Sequence, residues 1–235
     1  MSQVLGLVNA INNFIVGCKA DGIWDPIKAA CIMAGWDGLN GALVPLKGTA
    51  PTNFNFVAGD YDRKTGLKGN ASTKYLDTNV KPSDGLQDSA HYSTYVTILG
   101  SVSNRDYIGA TQTTPFNSFS QIIDNSGALN ATLNMGAGFA LPSGSGNSYT
   151  GLFGADRPSA SSINVRYNGT TSSTSAQSVT PASLNYFVFG RNLNNAPDRL
   201  SGRAHTFYSI GESLDLALLD NRVSTLVAAI GAAIP

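Results

Sequence analysis

Ile163-Asn164-Val165-Arg166-Tyr167-Asn168-Gly169 is the stretch whose reading decides the fold. Its first five residues alternate apolar and polar side chains, the period of a strand buried on one face. Asn-Gly follows at once, and both residues tolerate the positive φ that a two-residue hairpin loop demands. Outward from this hairpin, the same period of two runs from about residue 53 to residue 212. It is carried by Phe54, Phe56 and Ala58, by His91 to Leu99, and by Asp106 to Thr111. Ser118 to Ile123, Leu129 to Met135 and Tyr149 to Phe153 continue it. Leu184 to Gly190, apolar on both faces, reads as a central strand. Ala204, Thr206, Tyr208 and Ile210 form one face of a last strand that runs to Gly211. Short strands spaced by turn residues predict a mainly β protein, a two-sheet antiparallel jelly-roll sandwich.

The chain ends read differently. Val4, Leu7, Val8, Ile11, Phe14 and Ile15 recur at helical steps, and Asp25-Pro26 resembles an N-cap followed by proline at the first helical position. Ile27, Ala30, Cys31 and Ala34 then make the apolar face of a second helix that Gly35 can end. Residues 37–53 read as a connector. Leu141 to Asn147 reads as another, and Thr170 to Ser175 as a polar, mobile loop. From Leu214 to Ile234 helical spacing returns, with Asp215 in the first turn and the apolar side set either on the sandwich or against the N-terminal helices. The expected division is an N-terminal helical and linker segment over 1–52 and a jelly-roll domain with a closing helix over 53–235.

Composition narrows the function. The 235 residues carry fifteen basic and fifteen acidic side chains, so the formal net charge is zero and nucleic-acid binding is not expected. No apolar run reaches the roughly 20 residues of a membrane span, and no secretory leader is evident, so no membrane insertion is expected. Roughly 38% of the chain is Gly, Ser, Thr or Asn, which suits turn-rich β structure. Cys18 and Cys31 lie in apolar segments and read as small buried hydrophobes.

Catalysis finds little support. Glu212 is the only glutamate, so a pair of glutamates across a cleft is impossible. Asp60 and Asp62 would share one face of an extended segment and are the pair to test for acid–base chemistry. Capping of turn amides and pairing with Arg63 or Lys64 is the plainer role. The same aspartates with Asp77, Asp84, Asp88 or Asn70 could hold calcium, yet no calcium-loop pattern is present. His91 and His205 are far apart and lack zinc spacing, so no metal and no cofactor are expected; His205 reads as a satisfied histidine on a strand. The glycine pairs Gly136-x-Gly138 and Gly144-x-Gly146 lack the lysine of a phosphate loop. Aromatics are the better lead, since Tyr beside Asn or Asp suits a sugar face. Tyr92, Tyr95 and Tyr167, with Asp60 and Asp62, are the candidate ligand-binding residues.

Two stretches carry a resemblance. Phe54-Asn55-Phe56-Val57-x-Gly59-Asp60-Tyr61-x-Arg63-x-x-Gly66-Leu67-x-Gly69, running into Ser72-Thr73-Lys74-Tyr75-Leu76-Asp77-Thr78-Asn79, is similar to a pattern in virion proteins of tailed phages, notably cyanophages. Ser201 to Leu214 resembles the closing strand and helix of concanavalin A-like, laminin-G-like jelly rolls. The resemblance implies a virion protein made in a bacterial cytoplasm, displayed as a tail fibre or receptor-binding appendage. Its partners would be other virion proteins and host surface glycan, and homo-oligomers, trimers by family habit, are expected. Capsid decoration, an aspartate-based carbohydrate-active enzyme and an intracellular lectin are the competing readings.

Overall fold

A computed structural model describes residues 2–100, 103–125, 128–136, 140–145 and 149–234. Gly138 and Gly146, and with them parts of the two glycine pairs and of the Leu141–Asn147 connector, lie outside the described residues. The chain opens with helix α1 (Ser2–Ala20), β1 (Ile27–Ile32), the single-turn α2 (Leu39–Ala42), β2 (Pro45–Lys47) and β3 (Thr52–Phe54). A 3₁₀ turn at Ala58–Asp60 leads to β4 (Tyr61–Asp62), β5 (Gly66–Lys68) and β6 (Tyr75–Asp77). The long strands follow: β7 (Ala90–Ile98), β8 (Arg105–Gln112), β9 (Ser118–Asn125), β10 (Ala128–Met135), β11 (Ala140–Ser145) and β12 (Gly151–Ser159). The hairpin β13 (Ser162–Tyr167) and β14 (Thr170–Ser175), then β15 (Phe187–Val188), β16 (Arg191–Leu193), β17 (Ala196–Asp198), β18 (Ala204–Gly211) and helix α3 (Leu216–Ala233) complete it.

These strands form two sheets of a sandwich. The first runs β14-β13-β12-β7-β18-β1-β2 with β5 and β4 on β18; the second runs β11-β10-β9-β8-β15-β6-β3 with β16 and β17 beside β8. Neighbours are antiparallel except β16 on β8. Between the sheets lies a core that includes Leu76, Tyr92, Tyr107, Ile122, Phe153, Val188 and Tyr208. A second apolar layer joins the outer face of the first sheet to α1 and α3 through Phe14, Cys18, Ile32, Phe207, Leu219 and Val223. The molecule is therefore three layers deep: helices, first sheet, second sheet. Asp21 on the loop after α1 holds Arg222 of α3 at 2.6 and 2.9 Å, tying the two helices together.

Three expectations need correction. The segment after Asp25-Pro26 is strand β1, not a helix. Cys31 and Met33 point into the sandwich while Ala30, Ile32 and Ala34 face the helices, so both faces are apolar and the alternation is hidden. With β2 it joins the first sheet, so residues before 53 contribute strands to the sandwich. Thr170–Ser175 is likewise not a loop. It is the edge strand β14, paired residue for residue with β13 from Tyr167↔Thr170 to Ser162↔Ser175 across the Asn168-Gly169 loop, whose φ values are 47° and 69°. Its all-polar run is what an edge strand facing water requires. Leu141 to Ser145 belongs to β11, at the edge of the second sheet.

The C-terminal helix forms as read, and it serves both roles offered for it, packing on the first sheet and on α1. Asp215 is its N-cap, accepting from Ala217 N at 2.7 Å and Leu218 N at 3.2 Å. Among the described residues α3 is the one helix long and apolar enough, by length and composition, to cross a membrane. Here Leu219, Val223, Leu226 and Ile230 are buried against α1 and the first sheet.

Candidate functional site

The residues proposed from sequence separate into structural roles. Asp60 Oδ2 accepts from Val57 N at 2.8 Å and its Oδ1 pairs with Lys74. Desolvation opposes ionisation there, but Lys74 and the Val57 amide prevail and hold the carboxyl below its ordinary range. Asp62 Oδ1 accepts from Thr65 N at 2.8 Å and Lys64 N at 2.9 Å, and those bonds lower its pKa too. Both carboxylates serve as turn caps. Tyr92 is wholly buried, its hydroxyl donating to Thr132 O inside the core, so it offers no face to a ligand. Tyr95 is half-buried beneath the helix layer, and Tyr167 half-buried beside Tyr149 at 6.4 Å. The structure does not bring the five together.

The histidines are internal. His91 sits between Glu212 O and Ser209 Oγ, and burial pushes its pKa down to about 4. His205 meets Thr94 Oγ1 at 2.7 Å and is pushed down to about 3 by burial and by Arg203. Cys18 and Cys31 are free, buried thiols raised to about 12, chiefly by burial. Among the described residues no three His, Cys, Asp or Glu side chains converge as a metal site would need.

The described residues also line several cavities, four of which bear on a binding site. One of about 390 Å³ lies along α1 between Val8, Ile11 and Trp36 and is almost wholly apolar. One of about 600 Å³ is framed by residues 83–89 with Thr180 and Pro181 and has no aromatic wall. A third, about 530 Å³, contains Asp156 and Asp215. Burial raises the pKa of Asp156, as acid catalysis would need. Its oxygens, however, accept from Leu214 N and Asn164 Nδ2, both at 3.0 Å, while Asp215 caps α3.

The fourth cavity, about 400 Å³, lies on the outer face of the second sheet. Strand alternation builds it. Leu76 and Val188 point into the core, so Tyr75, Asp77 and Phe187 must point out. Register pairs Phe54 with Tyr75 and Phe187 with Asp77. The rings form a continuous ladder: Phe54 stacks on Tyr75 at 4.4 Å with planes 6° apart, and Tyr75 meets Phe187 at 4.6 Å. Phe54 is 37% exposed at the rim, whereas Phe187 is 6% exposed below it.

A polar wall faces this ladder. Asp77 Oδ2 accepts from Asn185 Nδ2 at 3.1 Å, and Asp77 Oδ1 accepts from Asn79 N at 2.9 Å. Asn192 Nδ2 donates to Asn185 O at 3.1 Å. Asn192 is 3% exposed and its Oδ1 has no hydrogen-bond partner among the described residues. Lys81 lines the same cavity and enters none of the ion pairs there. A short aromatic wall beside several polar groups offers a sugar both an apolar contact and hydrogen-bond partners. Sequence reading passed over Tyr75, Phe187 and Asn192. The signal for two of the walls was present, because Phe54, Tyr75 and Asp77 all belong to the phage-like stretch from 54 to 79.

No family model matches the chain, and no curated protein matches its sequence. Solved structures share its architecture. Trypanosoma rangeli sialidase, in complex with a difluoro-KDN compound, superposes with a TM-score of 0.55 at 11% identity over 88% of this chain and 33% of that one. The same enzyme in complex with sialic acid gives 0.55 at 13% over 86% and 33%. The binding domain of botulinum neurotoxin serotype D gives 0.52 at 13% identity, over 86% of this chain and 51% of that one. The chain thus spans a third to a half of these structures. At such identities the likeness shows the fold, a mainly β two-sheet sandwich of the class these proteins contain, and none of the three is a phage protein.

Proposed function

We propose that the chain is a carbohydrate-recognition sandwich, a binding module and not an enzyme, that serves as the receptor-binding part of a tailed-phage virion. One observation carries the glycan reading: the ladder Phe54–Tyr75–Phe187 set against Asp77, Asn185 and Asn192 in a cavity of about 400 Å³. A sugar ring presents apolar C–H groups on one face and hydroxyls at its rim, and this wall and floor meet those two demands together. One structural neighbour, a sialidase in complex with sialic acid, accords with sugar recognition on this fold. The virion role draws on the phage-like stretch itself, since three of its residues frame the cavity. Against catalysis stand the engaged carboxylates of Asp60, Asp62, Asp156 and Asp215.

The test is a glycan array read with the purified chain and with Phe54→Ala. Binding by the native chain that falls at least tenfold in the variant supports the reading, and a bare array refutes it. Immunogold labelling of intact particles tests the virion role. Gold at the tail end supports it, gold over the head means capsid decoration, and unlabelled particles exclude both.

A further inference from the structure

Helix α1 turns an uncharged face outward. Residues 3–18 contain no Asp, Glu, Lys or Arg, whereas a helix at a protein surface ordinarily sets charged residues on its outer side. Phe14 and Cys18 go to the helix–sheet core. Elsewhere on the helix Val4, Leu5, Val8 and Val16 are between 55% and 66% exposed, and among the described residues they are four of the ten large apolar side chains left in the open. With Ile11, Asn12 and Ile15 they follow one another at steps of three and four, so they form one continuous stripe. Beside the stripe runs the cavity of about 390 Å³, walled on its far side by Trp36 and Arg63. That wall is held in place: Trp36 Nε1 donates to Ile32 O at 2.7 Å, and Arg63 Nη2 donates to Gly35 O at 3.3 Å. A groove along an apolar helix face is shaped for the ridge of another helix.

Two charges decide which helix that is. Lys19, the one charged residue of α1, is exposed at its C-terminal end. Its ammonium lies 6.0 Å from the Trp24 ring and has no ion-pair partner among the described residues. Asp37 lines the groove with its side chain 91% exposed and Arg63 at 3.4 Å. It belongs to the N-terminal end of the groove, because a Cβ on Gly35, two residues earlier, would stand 3.1 Å from Leu7. Two copies of α1 laid antiparallel about a two-fold axis would bring each Lys19 to the partner's Asp37 and pair opposite helix ends, whereas a parallel pair would set lysine against lysine. We infer that this groove is occupied by α1 of a second copy of the chain, antiparallel, with Val4, Val8, Ile11 and Ile15 of each copy packed on the other. A helix of 19 residues spans about 28 Å and is about 10 Å across, so two facing copies bury about 600 Å² in all. That is less than the roughly 1,200 Å² of stable complexes, so the dimer dissociates on dilution. The inference stands apart from the glycan reading.

Sedimentation velocity of the full chain, from low-micromolar to submillimolar concentration, tests the inference. The weight-average mass should rise from that of the monomer toward twice that value. Val8→Lys sets an ammonium in the apolar contact twice per dimer and should weaken association by about tenfold or more. Val8 is 56% exposed in the monomer, so the variant should keep the native circular dichroism spectrum. A charge exchange probes the pairing without touching the apolar stripe. Lys19→Asp alone should weaken association by about two- to fivefold, and adding Asp37→Lys should restore it. A native chain that stays monomeric at every concentration overturns the inference. Association untouched by Val8→Lys overturns its assignment to this groove, and an exchange that fails to restore it overturns the antiparallel arrangement. A monomer that floats with phosphatidylcholine vesicles in a density gradient overturns the second copy in favour of a lipid surface.

Discussion

Asp106 offers the sharpest test of the buried polar structure. It lies in β8 with no exposed surface, neither carboxylate oxygen has a hydrogen bond, and the nearest guanidinium nitrogen, Arg191 Nε, is 3.7 Å away. Burial outweighs the pull of Arg191 and Arg199 and raises its pKa to about 8. The sign follows from linkage. Above pH 4 the unfolded chain releases this proton while the folded chain keeps it, so stability falls as pH rises until the folded group also ionises near 8. One pH unit in that window is worth about 1.4 kcal/mol, so the cost that accumulates between pH 6.5 and 8 is about 1–2 kcal/mol. Asp106→Asn abolishes it. Arg191 is not stranded by the change, because Asp198 holds it at 2.6 and 2.8 Å and Gln121 Oε1 at 2.8 Å. The assay is urea unfolding of native chain and variant at pH 6.5, 7.25 and 8. Histidine and cysteine titrations occur in both proteins and cancel in the difference. The variant should gain about 1–2 kcal/mol relative to the native chain across that range, or several degrees in thermal midpoint at about 2–4 °C per kcal/mol for a chain this long. A difference that does not change with pH would mean that Asp106 is ionised throughout and would refute the reasoning.

Other expectations follow from the same kind of reading. His91 and His205, depressed to about 4 and about 3 by burial, stay neutral in the fold while the unfolded chain protonates near pH 6.5. The stability these two histidines contribute above pH 6.5 should therefore decline as pH falls toward 4, opposite to the drift from Asp106, and in the Asp106→Asn chain a urea midpoint constant from pH 7 to 4.5 would contradict this. Asp215→Ala removes the cap of α3 and should cost about 1 kcal/mol, with the native circular dichroism spectrum retained. Leu219→Ala, at a fully buried site on the same helix, should cost about 2–5 kcal/mol. If the two changes prove equal in denaturant unfolding, the helix does not hold its place by burial against the first sheet.

What could be read without coordinates follows from where water is. The hairpin at Ile163 to Gly169 separates core from solvent, so its alternation survives in the sequence and its loop chemistry is explicit. Strand β1 lies between two apolar layers, and its period vanishes into Ile27, Ala29, Ala30, Cys31 and Ile32, which a helix could use equally well. Strand β14 fails in the opposite sense. Six Ser and Thr residues have no apolar face because the edge needs none, and only the pairing to β13 makes them a strand. The tyrosines illustrate the same limit. Tyr92 and Tyr75 stand in equally β-rich stretches, yet Tyr92 points between the sheets and Tyr75 away from them, and only the register of each strand in its sheet decides which.

The covering by helices sets the two outer faces of the sandwich apart. α1 and α3 occupy the outer face of the first sheet, and β18 is buried along its whole length as a result. The sandwich interior is closed by its own side chains. On the outer side of the second sheet, short strands β3, β6 and β15 set Phe54, Tyr75 and Phe187 in register and β16 brings Asn192 beside them. Short strands suit the task, since two or three residues set the rings and the flanking turns supply Lys81, Asn185 and Asn195. A single stretch of sequence, 54–79, thus does two things at once. Leu76 goes to the core and Tyr75 and Asp77 go to the cavity, so a change that slips β6 by one residue would exchange them and lose fold and site together.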